Sequence, residues 1–501
     1  MRAASPETMR QIDKYASDIL SIKEETLMGN AGKGVYEKIK EMIDPSDTVL
    51  ILCGKGNNAG DGYALGTELI RDKINVCCLE VFDMPPVSVC AQNFRNIYVS
   101  CGGKIAKSDK FKDEIKKSTV IADCIFGFGF RGNIDNESVA AKIIKACNES
   151  GCKRISVDVP SGINPESGEI SDVNFSADRT YTLVLPKPGL YSYPAREYCG
   201  EISVLDIGIP KKVLDNFSYE CEIEDDEFIK SIMPKRGKNT NKGTFGTLLS
   251  FTGSEYMTGA AVLSSMGALR SGVGLLKICG KKEVLSKLQN ILYEPVFQKL
   301  DDDADKAVCE MDGYFKSASA VLCGCGIGKD EYAKRLTEHI IKNFEKTIIL
   351  DADGINNICE NIMILKEAKL PCIITPHPAE FARLLNTGVQ NVNKNRINCA
   401  RAFSREYNCI VVLKGAGTVI ACPDGKYFIN TTGNSSLSKG GSGDVLAGVI
   451  ASLCAQGMSP PSACALAVYL HGYAGEKLSA EASQSSVLPQ DLPRCIGKSL
   501  P

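Results

Sequence analysis

Hydrophobic positions along most of the chain follow two alternating patterns. Short, nearly unbroken apolar runs rich in β-branched residues occur at 48–53, 75–81, 120–126, 155–159, 179–183 and 202–205. Runs of this kind are what strands covered on both faces look like. Helical spacing fills the intervals, and a helical stretch precedes the first run. The alternation predicts a doubly wound parallel sheet. From Lys211 to Asn241 the character changes, acidic over Glu220–Glu227 and basic over Lys235–Lys242. The alternation then resumes, with apolar runs at 247–251, 274–278, 320–323, 347–350, 372–375, 410–413 and 418–421. The pattern predicts two α/β domains, 1–218 and 219–501, with the division near 215–225. The halves are not repeats of each other.

A chain of 501 residues is too long for one core, and 44% hydrophobic residues are enough to fill two. A formal net charge of -2 with no block of Lys or Arg argues against a nucleic-acid partner. The stretch Met1–Leu20 places Arg10, Asp13, Lys14 and Asp18 among its apolar positions, unlike a secretion signal. Runs such as Val445–Ala455 are too short to span a bilayer. No membrane partner is expected, and a cytoplasmic location is. The 22 cysteines contain no CxxC pair; the close pairs are Cys77-Cys78 and Cys323-Gly324-Cys325. Most sit in apolar runs as small hydrophobes, which fits a reducing compartment.

The first run leads into Gly54-Lys55-Gly56-Asn57-Asn58-Ala59-Gly60-Asp61-Gly62. Small residues between a strand and a helix start let backbone N–H groups approach an anion. Gly54, Gly56 and Ala59 loosely satisfy the dinucleotide fingerprint, with Glu80 at a distance suited to a ribose, so a dehydrogenase is one reading. Against it, Asp61 would repel a pyrophosphate. The oxygens of Asn57, Asn58 and Asp61 suit a cation or a ligand's hydroxyls and amide; a turn with helix-capping Asn and Asp is the purely structural alternative. Two more polar loops end apolar runs: Asp123-Cys124-Ile125-Phe126-Gly127-Phe128-Gly129-Phe130-Arg131-Gly132 and Val157-Asp158-Val159-Pro160-Ser161-Gly162. Ligands gather at the carboxyl ends of strands in open α/β sheets, so three such loops point to one site.

This set of loops resembles the NAD(P)H-hydrate epimerase domain, the N-terminal YjeF type, over roughly residues 5–210. The resemblance implies a Rossmann-like domain in which Asn58, Asp123 and Ser161 hold K⁺. It also implies that Asn57, Asn58, Gly60, Asp61, Gly127, Phe128, Gly129, Phe130, Arg131, Gly132 and Asn133 line the hydrated nucleotide, with Asp158 at its reacting end. Inverting a carbon that bears nitrogen and hydroxyl needs proton transfers, which a carboxylate such as Asp158 can supply. A loop-capping aspartate and a core role for Phe126 are the plain alternatives. Ala59 stands where the family usually has glycine.

In the second half the sequence Lys439-Gly440-Gly441-Ser442-Gly443-Asp444 opens an apolar helical run. Free N–H groups and the positive end of a helix dipole there would stabilise a transferring phosphoryl group. Asp444 is placed to take a proton from an attacking hydroxyl. No Walker signature is present, so a P-loop enzyme is not expected.

Gly-Ser-Gly-Asp at a helix start resembles the ribokinase-like signature. With Lys242-Gly243-Thr244-Phe245-Gly246, Thr258-Gly259-Ala260-Ala261, Asp351-Ala352-Asp353, Thr375-Pro376-His377-Pro378-Ala379-Glu380 and Lys414-Gly415-Ala416-Gly417-Thr418, the second half resembles the NAD(P)H-hydrate dehydratase domain, the C-terminal YjeF type, over 225–495. The resemblance implies that Ala260, Gly326, His377 and Asp444 bind the hydrate, and that Lys414, Gly415, Ala416, Gly417, Thr418 and Gly443 bind the nucleotide. It implies ADP as phosphate donor and Mg²⁺ for charge neutralisation, with Glu380 and Asp353 as outer ligands. Catalysis is expected from Asp158 and Asp444, the substrates being NADHX and NADPHX, in a homo-oligomer. A histidine satisfied in a proline-flanked turn and a solvated strand-end lysine are the alternatives for His377 and Lys414. Thr432-Gly433-Asn434 is followed by Ser435–Ser438 where the family has Pro-Gly-Met-Ala, and Lys439 is placed to add a phosphate contact. The rival reading of the whole chain is a small-molecule kinase fused to an NAD-binding or non-catalytic module.

Overall fold

A computed structural model of the chain describes residues 1–501, which fall into two compact units, Arg2–Glu222 and Ile223–Pro501, with Met1 grouped with the latter.

In the first unit seven parallel strands form one sheet: β1 Thr48–Cys53, β2 Asn75–Glu80, β3 Lys104–Lys107, β4 Val120–Cys124, β5 Lys153–Val157, β6 Arg179–Leu183 and β7 Glu201–Leu205, in the order β3-β2-β1-β4-β5-β6-β7. The direction of strand addition reverses between β1 and β4. Cys53 pairs with Cys124 there, so both strands release their loops at one level. Val49–Cys53 are at most 1% exposed, and this two-sided burial is why the run reads as continuously apolar. Helices α1 Pro6–Asp18, α2 Glu24–Ile39 and α3 Asn57–Arg71 lie near the β1 edge of the site. Glycines let α3 sit close to the sheet: a Cβ on Gly62 would stand 2.9 Å from the Cys124 sulfur. Arg71 closes α3 at its negative end.

The second unit has strands β8 Thr247–Phe251, β9 Leu275–Gly280, β10 Val296–Lys299, β11 Ala320–Cys323, β12 Thr347–Leu350, β13 Ile373–Ile374, β14 Ile410–Leu413, β15 Val419–Ala421 and β16 Tyr427–Ile429. They lie in the order β16-β15-β14-β13-β12-β11-β8-β9-β10, parallel from β14 to β10, with antiparallel β14-β15 and β15-β16 pairs. Here the reversal falls between β8 and β11, and the loops after β8, β11, β12, β13 and β14 leave from one edge. Helices α4 Thr258–Arg270, α5 Pro378–Leu384, α6 Arg396–Tyr407, α7 Ser442–Ala455 and α8 Pro460–Glu481 cover the sheet. No helix is long and apolar enough to cross a membrane.

All 22 cysteines are free, and most are buried among apolar neighbours. The antiparallel strand β16 and the edge strands β3 and β10 were not expected from the sequence. Each is short and partly exposed, so none leaves a continuous apolar run.

Helices α4 and α7 meet backbone to backbone. A Cβ on Gly448 would lie 1.9 Å from the Ser264 carbonyl oxygen, and one on Gly267 would lie 2.5 Å from that of Val445. This contact fixes the start of α7, where Asp444 sits. Alanine at Gly448 gains intrinsic helix propensity, yet overpacking should reverse the sign, with a net loss of about 1–3 kcal/mol. Chemical denaturation of Gly448→Ala measures it; a variant as stable as the wild type would contradict the close approach.

Candidate active sites

The first site is a cavity of about 890 Å³, lined by α1, α2 and the loops after β1, β4 and β5. Asp158 follows β5 with φ +69°, a left-handed backbone rare for a residue with a side chain. Such strain persists where the surroundings over-determine the residue. Its Oδ2 accepts from the Phe128 N–H at 2.8 Å. Its Oδ1 accepts from Lys187 Nζ at 2.5 Å and, more loosely, from Thr182 and the Leu183 N–H. The Lys187 side chain is fully buried and also donates to the Leu183 carbonyl. Gly127 packs closely beside this group, where a Cβ would lie a tight 3.1 Å from Asp158 Oδ2.

Asn58 ties the loops together: its Nδ2 donates to the carbonyls of Phe126 at 2.8 Å and Val157 at 3.1 Å. Its Oδ1 is buried without a partner. Asp123, fully buried, accepts from the Ser161 hydroxyl and N–H, both at 2.7 Å, and from the Ile125 N–H. Burial pushes its carboxyl up to about 6, against those hydrogen bonds. An orphaned amide oxygen and a buried carboxylate with no cation acting on it form an all-oxygen donor set. That chemistry fits a hard, weakly demanding cation such as K⁺.

Asn57, Asn58, Asp61 and Gly127–Phe130 line the cavity, as does Asp158. Gly60 instead packs on Met28, where a Cβ would clash with the sulfur. Arg131, Gly132 and Asn133 lie outside the lining, and Asn133 exchanges hydrogen bonds with Asp172. The helix-capping reading of the Asn pair is corrected: the N-cap of α3 is Gly56, and Asn57 donates to Glu24. The dehydrogenase reading is corrected as well. Glu80 is 1% exposed and spent on Arg95 at 2.7 Å and Lys107 at 2.5 Å, so it offers nothing to a ribose. Phe126 packs against Phe82 and Phe130 while also lining the cavity, so core and site roles coincide.

The second site gathers at the N-terminus of α7. Lys414 at the end of β14 reaches Asp351 Oδ1 at 2.8 Å, and the Thr375 hydroxyl donates to the same oxygen at 2.7 Å. Lys414 is thus a buried lysine and not a solvated one; burial alone would pull its ammonium down, but Asp351 raises it on balance. Gly443 lies against it, for a Cβ there would stand 3.1 Å from Nζ. Asp444, Asp351 and the Cys325 sulfur have ligand atoms within 4.8 Å of one another. Burial, then the Asp351 charge, pushes the Asp444 carboxyl up to about 7. Burial, then Asp351 and Asp444, raises the Cys325 thiol well above its ordinary value, so it stays protonated and unsuited to a hard cation. Asp353 and Glu380 are the better oxygen donors for Mg²⁺, being mostly buried carboxylates whose hydrogen bonds come from backbone N–H groups and Asn356.

Gly326 and Ala260 are neighbours, a Cβ on the former lying 3.0 Å from that of the latter. His377 caps α5: its Nδ1 accepts from the Ala379 and Glu380 N–H groups while its ring stays half exposed. In the nucleotide loop Gly415 and Gly417 have φ of +139° and +60°, and the Thr418 hydroxyl donates to the Gly415 carbonyl. Beneath it Arg396 donates to the carbonyls of Leu413 and Lys414, and burial lowers its guanidinium to about 10. Ser442 is held by His471 at 3.1 Å; burial pulls that imidazole down to about 4 and keeps it neutral. Lys439 Nζ is taken up by the carbonyls of Ser485 and Val487, which directs it away from a phosphate contact.

Lys187, Arg396 and His471 were missed in the sequence. Lys187 stands between two prolines, a local signal of a fixed backbone, but nothing local shows that it is buried.

Two α/β units, each with its site at the carboxyl ends of a largely parallel sheet, are the class that the folds and sites define. The model of the YjeF-related protein N-terminus matches residues 24–189, and that of NAD(P)H-hydrate dehydratase matches residues 248–498. The chain is 32% identical to the bifunctional NAD(P)H-hydrate repair enzyme Nnr of Moorella thermoacetica, covering 97% of this chain and 94% of that one. With the enzyme of the same name from Thermofilum pendens it shares 31% identity over 100% and 96%, and with that of Escherichia coli 29% over 97% and 91%. A crystal structure of the ADP/ATP-dependent NAD(P)H-hydrate dehydratase from Bacillus subtilis, co-crystallised with ATP/Mg²⁺, is 31% identical over 55% of this chain and 95% of that one, with a TM-score of 0.49. The chain belongs to the family of bifunctional NAD(P)H-hydrate repair enzymes.

Lys187→Met would leave Asp158 a buried carboxylate without its cation. A loss of about 3–5 kcal/mol from the first unit is expected, read by urea denaturation; unchanged stability would contradict a tight buried pair.

Proposed function

We propose that the chain carries out two successive repair steps, with the first unit interconverting the R and S epimers of hydrated NADH and NADPH, and the second dehydrating the S epimer with ADP to give AMP and phosphate. The division of labour falls near residues 215–225. The observation that carries the reading is the convergence of Lys414, Gly443 and Asp444 at the start of α7. Hydroxide is a poor leaving group and phosphate a good one, which is the physical reason to consume a nucleotide. Asp444 takes the proton from the ring hydroxyl as its oxygen attacks the terminal phosphorus of ADP. Lys414 and the amides at the helix start face the charge that develops on the transferring group. Phosphate then departs with the C–O bonding pair, and the adjacent ring carbon loses its proton to water, so that the C–H pair becomes the C=C bond of the dihydronicotinamide.

Asp353 and Glu380 would hold Mg²⁺, which neutralises phosphate charge when bound. In the first unit Asn58, Asp123 and Ser161 would hold K⁺, which would balance the buried Asp123 carboxylate. Asp158, clamped by Lys187 and the Phe128 N–H, is held in one position at the reacting end of the hydrate.

As a base Asp444 works only when ionised, and its carboxyl sits at about 7. Dehydration should therefore speed up as pH rises through about 7 and level off above it. The assay is the gain in near-ultraviolet absorbance from S hydrate, with AMP and phosphate counted, using ADP and ATP in turn. Asp444→Asn should lose about 10²–10⁴-fold in rate. Wild-type-like recovery by that variant, or a stable phosphorylated product instead of free phosphate, would refute the mechanism.

A further inference from the structure

Asp13 belongs to α1, outside residues 24–189 that the first family model matches, and it lines the same cavity as Asp158. The two carboxyls differ in how they are held. Asp158 is surrounded by donors on both oxygens, so its lone pairs are committed. Asp13 is mostly buried and lines the cavity, and what acts on it is burial and charge at a distance: Lys187, Asp158 and Glu24, with Asp61 also coupled to it. Burial, the largest of these effects, pushes its carboxyl up to about 6, a value suited to passing a proton in either direction near neutrality. Two carboxylates with separate environments take separate roles.

We propose that Asp13 is the catalytic proton shuttle of the epimerisation, an inference that rests on the epimerase reading of this cavity. The reacting carbon of the hydrate bears a hydroxyl and the ring nitrogen, so it opens as a hemiaminal does. The Asp13 carboxylate takes the hydroxyl proton; the oxygen's electron pair forms the C=O bond; the C–N bond breaks with its pair on nitrogen. Asp13, now protonated, returns that proton to the nitrogen. Rotation of the freed aldehyde and the same steps in reverse close the ring on its other face, with no atom gained or lost and Asp13 ionised as at the start. Asp158, clamped by Lys187 and the Phe128 N–H, holds the ring in register. Asp61 is also on the cavity wall, and burial, then the Asp158 and Asp13 charges, raises its carboxyl well above the ordinary value.

The test uses the full chain and pure R hydrate, following R-to-S conversion with ADP omitted, so that epimerisation is read alone. Dehydration of S hydrate with ADP in the same preparation checks that the second unit is intact, and a melting curve checks the first. Asp13→Asn should lower kcat for epimerisation at least 100-fold with KM within about threefold, since the lost interaction is made in the transition state. Asp13→Ala should recover rate on addition of formate, in a saturable way, which a merely structural aspartate would not do. The inference is overturned if Asp13→Asn epimerises within threefold of wild type, if the loss lies in KM, or if a normally melting Asp13→Ala gains nothing from formate. Wild type that does not epimerise at all overturns instead the reading of the cavity on which this rests.

Discussion

Most side chains assigned a chemical role depend on one constraint: a parallel sheet sends the carboxyl ends of its strands to a single edge, and where the strand order reverses the loops part and leave room between them. In the first unit that point lies between β1 and β4, paired at Cys53 and Cys124, and in the second between β8 and β11, paired at Phe251 and Cys323. Residues more than a hundred positions apart reach one pocket because of it. Asn58 bonding to the carbonyls after β4 and at the end of β5 is the clearest local expression of this geometry.

The two sites use the arrangement differently. The first encloses a cavity and places carboxyls of contrasting character on its wall, one clamped by a buried lysine and others raised by burial. The second opens at a helix N-terminus, where amides and Lys414 meet a carboxyl poised near neutrality. Proton transfer alone suits the first. Phosphoryl transfer, which needs charge stabilisation more than covalent help, suits the second. A deeply buried, neutral His471 under Ser442 and a buried Arg396 under the nucleotide loop hold the second site in shape without offering a titrating group of their own near neutral pH.

Much of this was legible in the chain itself, for definable reasons. Central strands such as Thr48–Cys53 and Ala320–Cys323 are buried on both faces and so leave unmistakable apolar runs. The run at 120–126 overshoots its strand because Ile125 and Phe126 are apolar for the cavity's sake and not the sheet's. The glycine- and Asx-rich loops announced their sites, since glycine lets a backbone pass close to a carboxylate, as Gly127 does beside Asp158. Lys187 and Asp13 were hidden because burial of a charge is a property of the assembled fold: Lys187 is 29 positions from the aspartate it pairs with, and Asp13 stands on a helix whose pattern looks ordinary.

The central claim is that charge on a transferring phosphoryl group is met by the amides and lysine gathered at the start of α7. A crystal structure of the protein with AMP tests it most directly. The account predicts the nucleotide phosphate within hydrogen-bonding distance of the Gly443 and Asp444 amides and of Lys414 Nζ. A nucleotide seated elsewhere on the second unit, with that helix start facing only solvent, would contradict it.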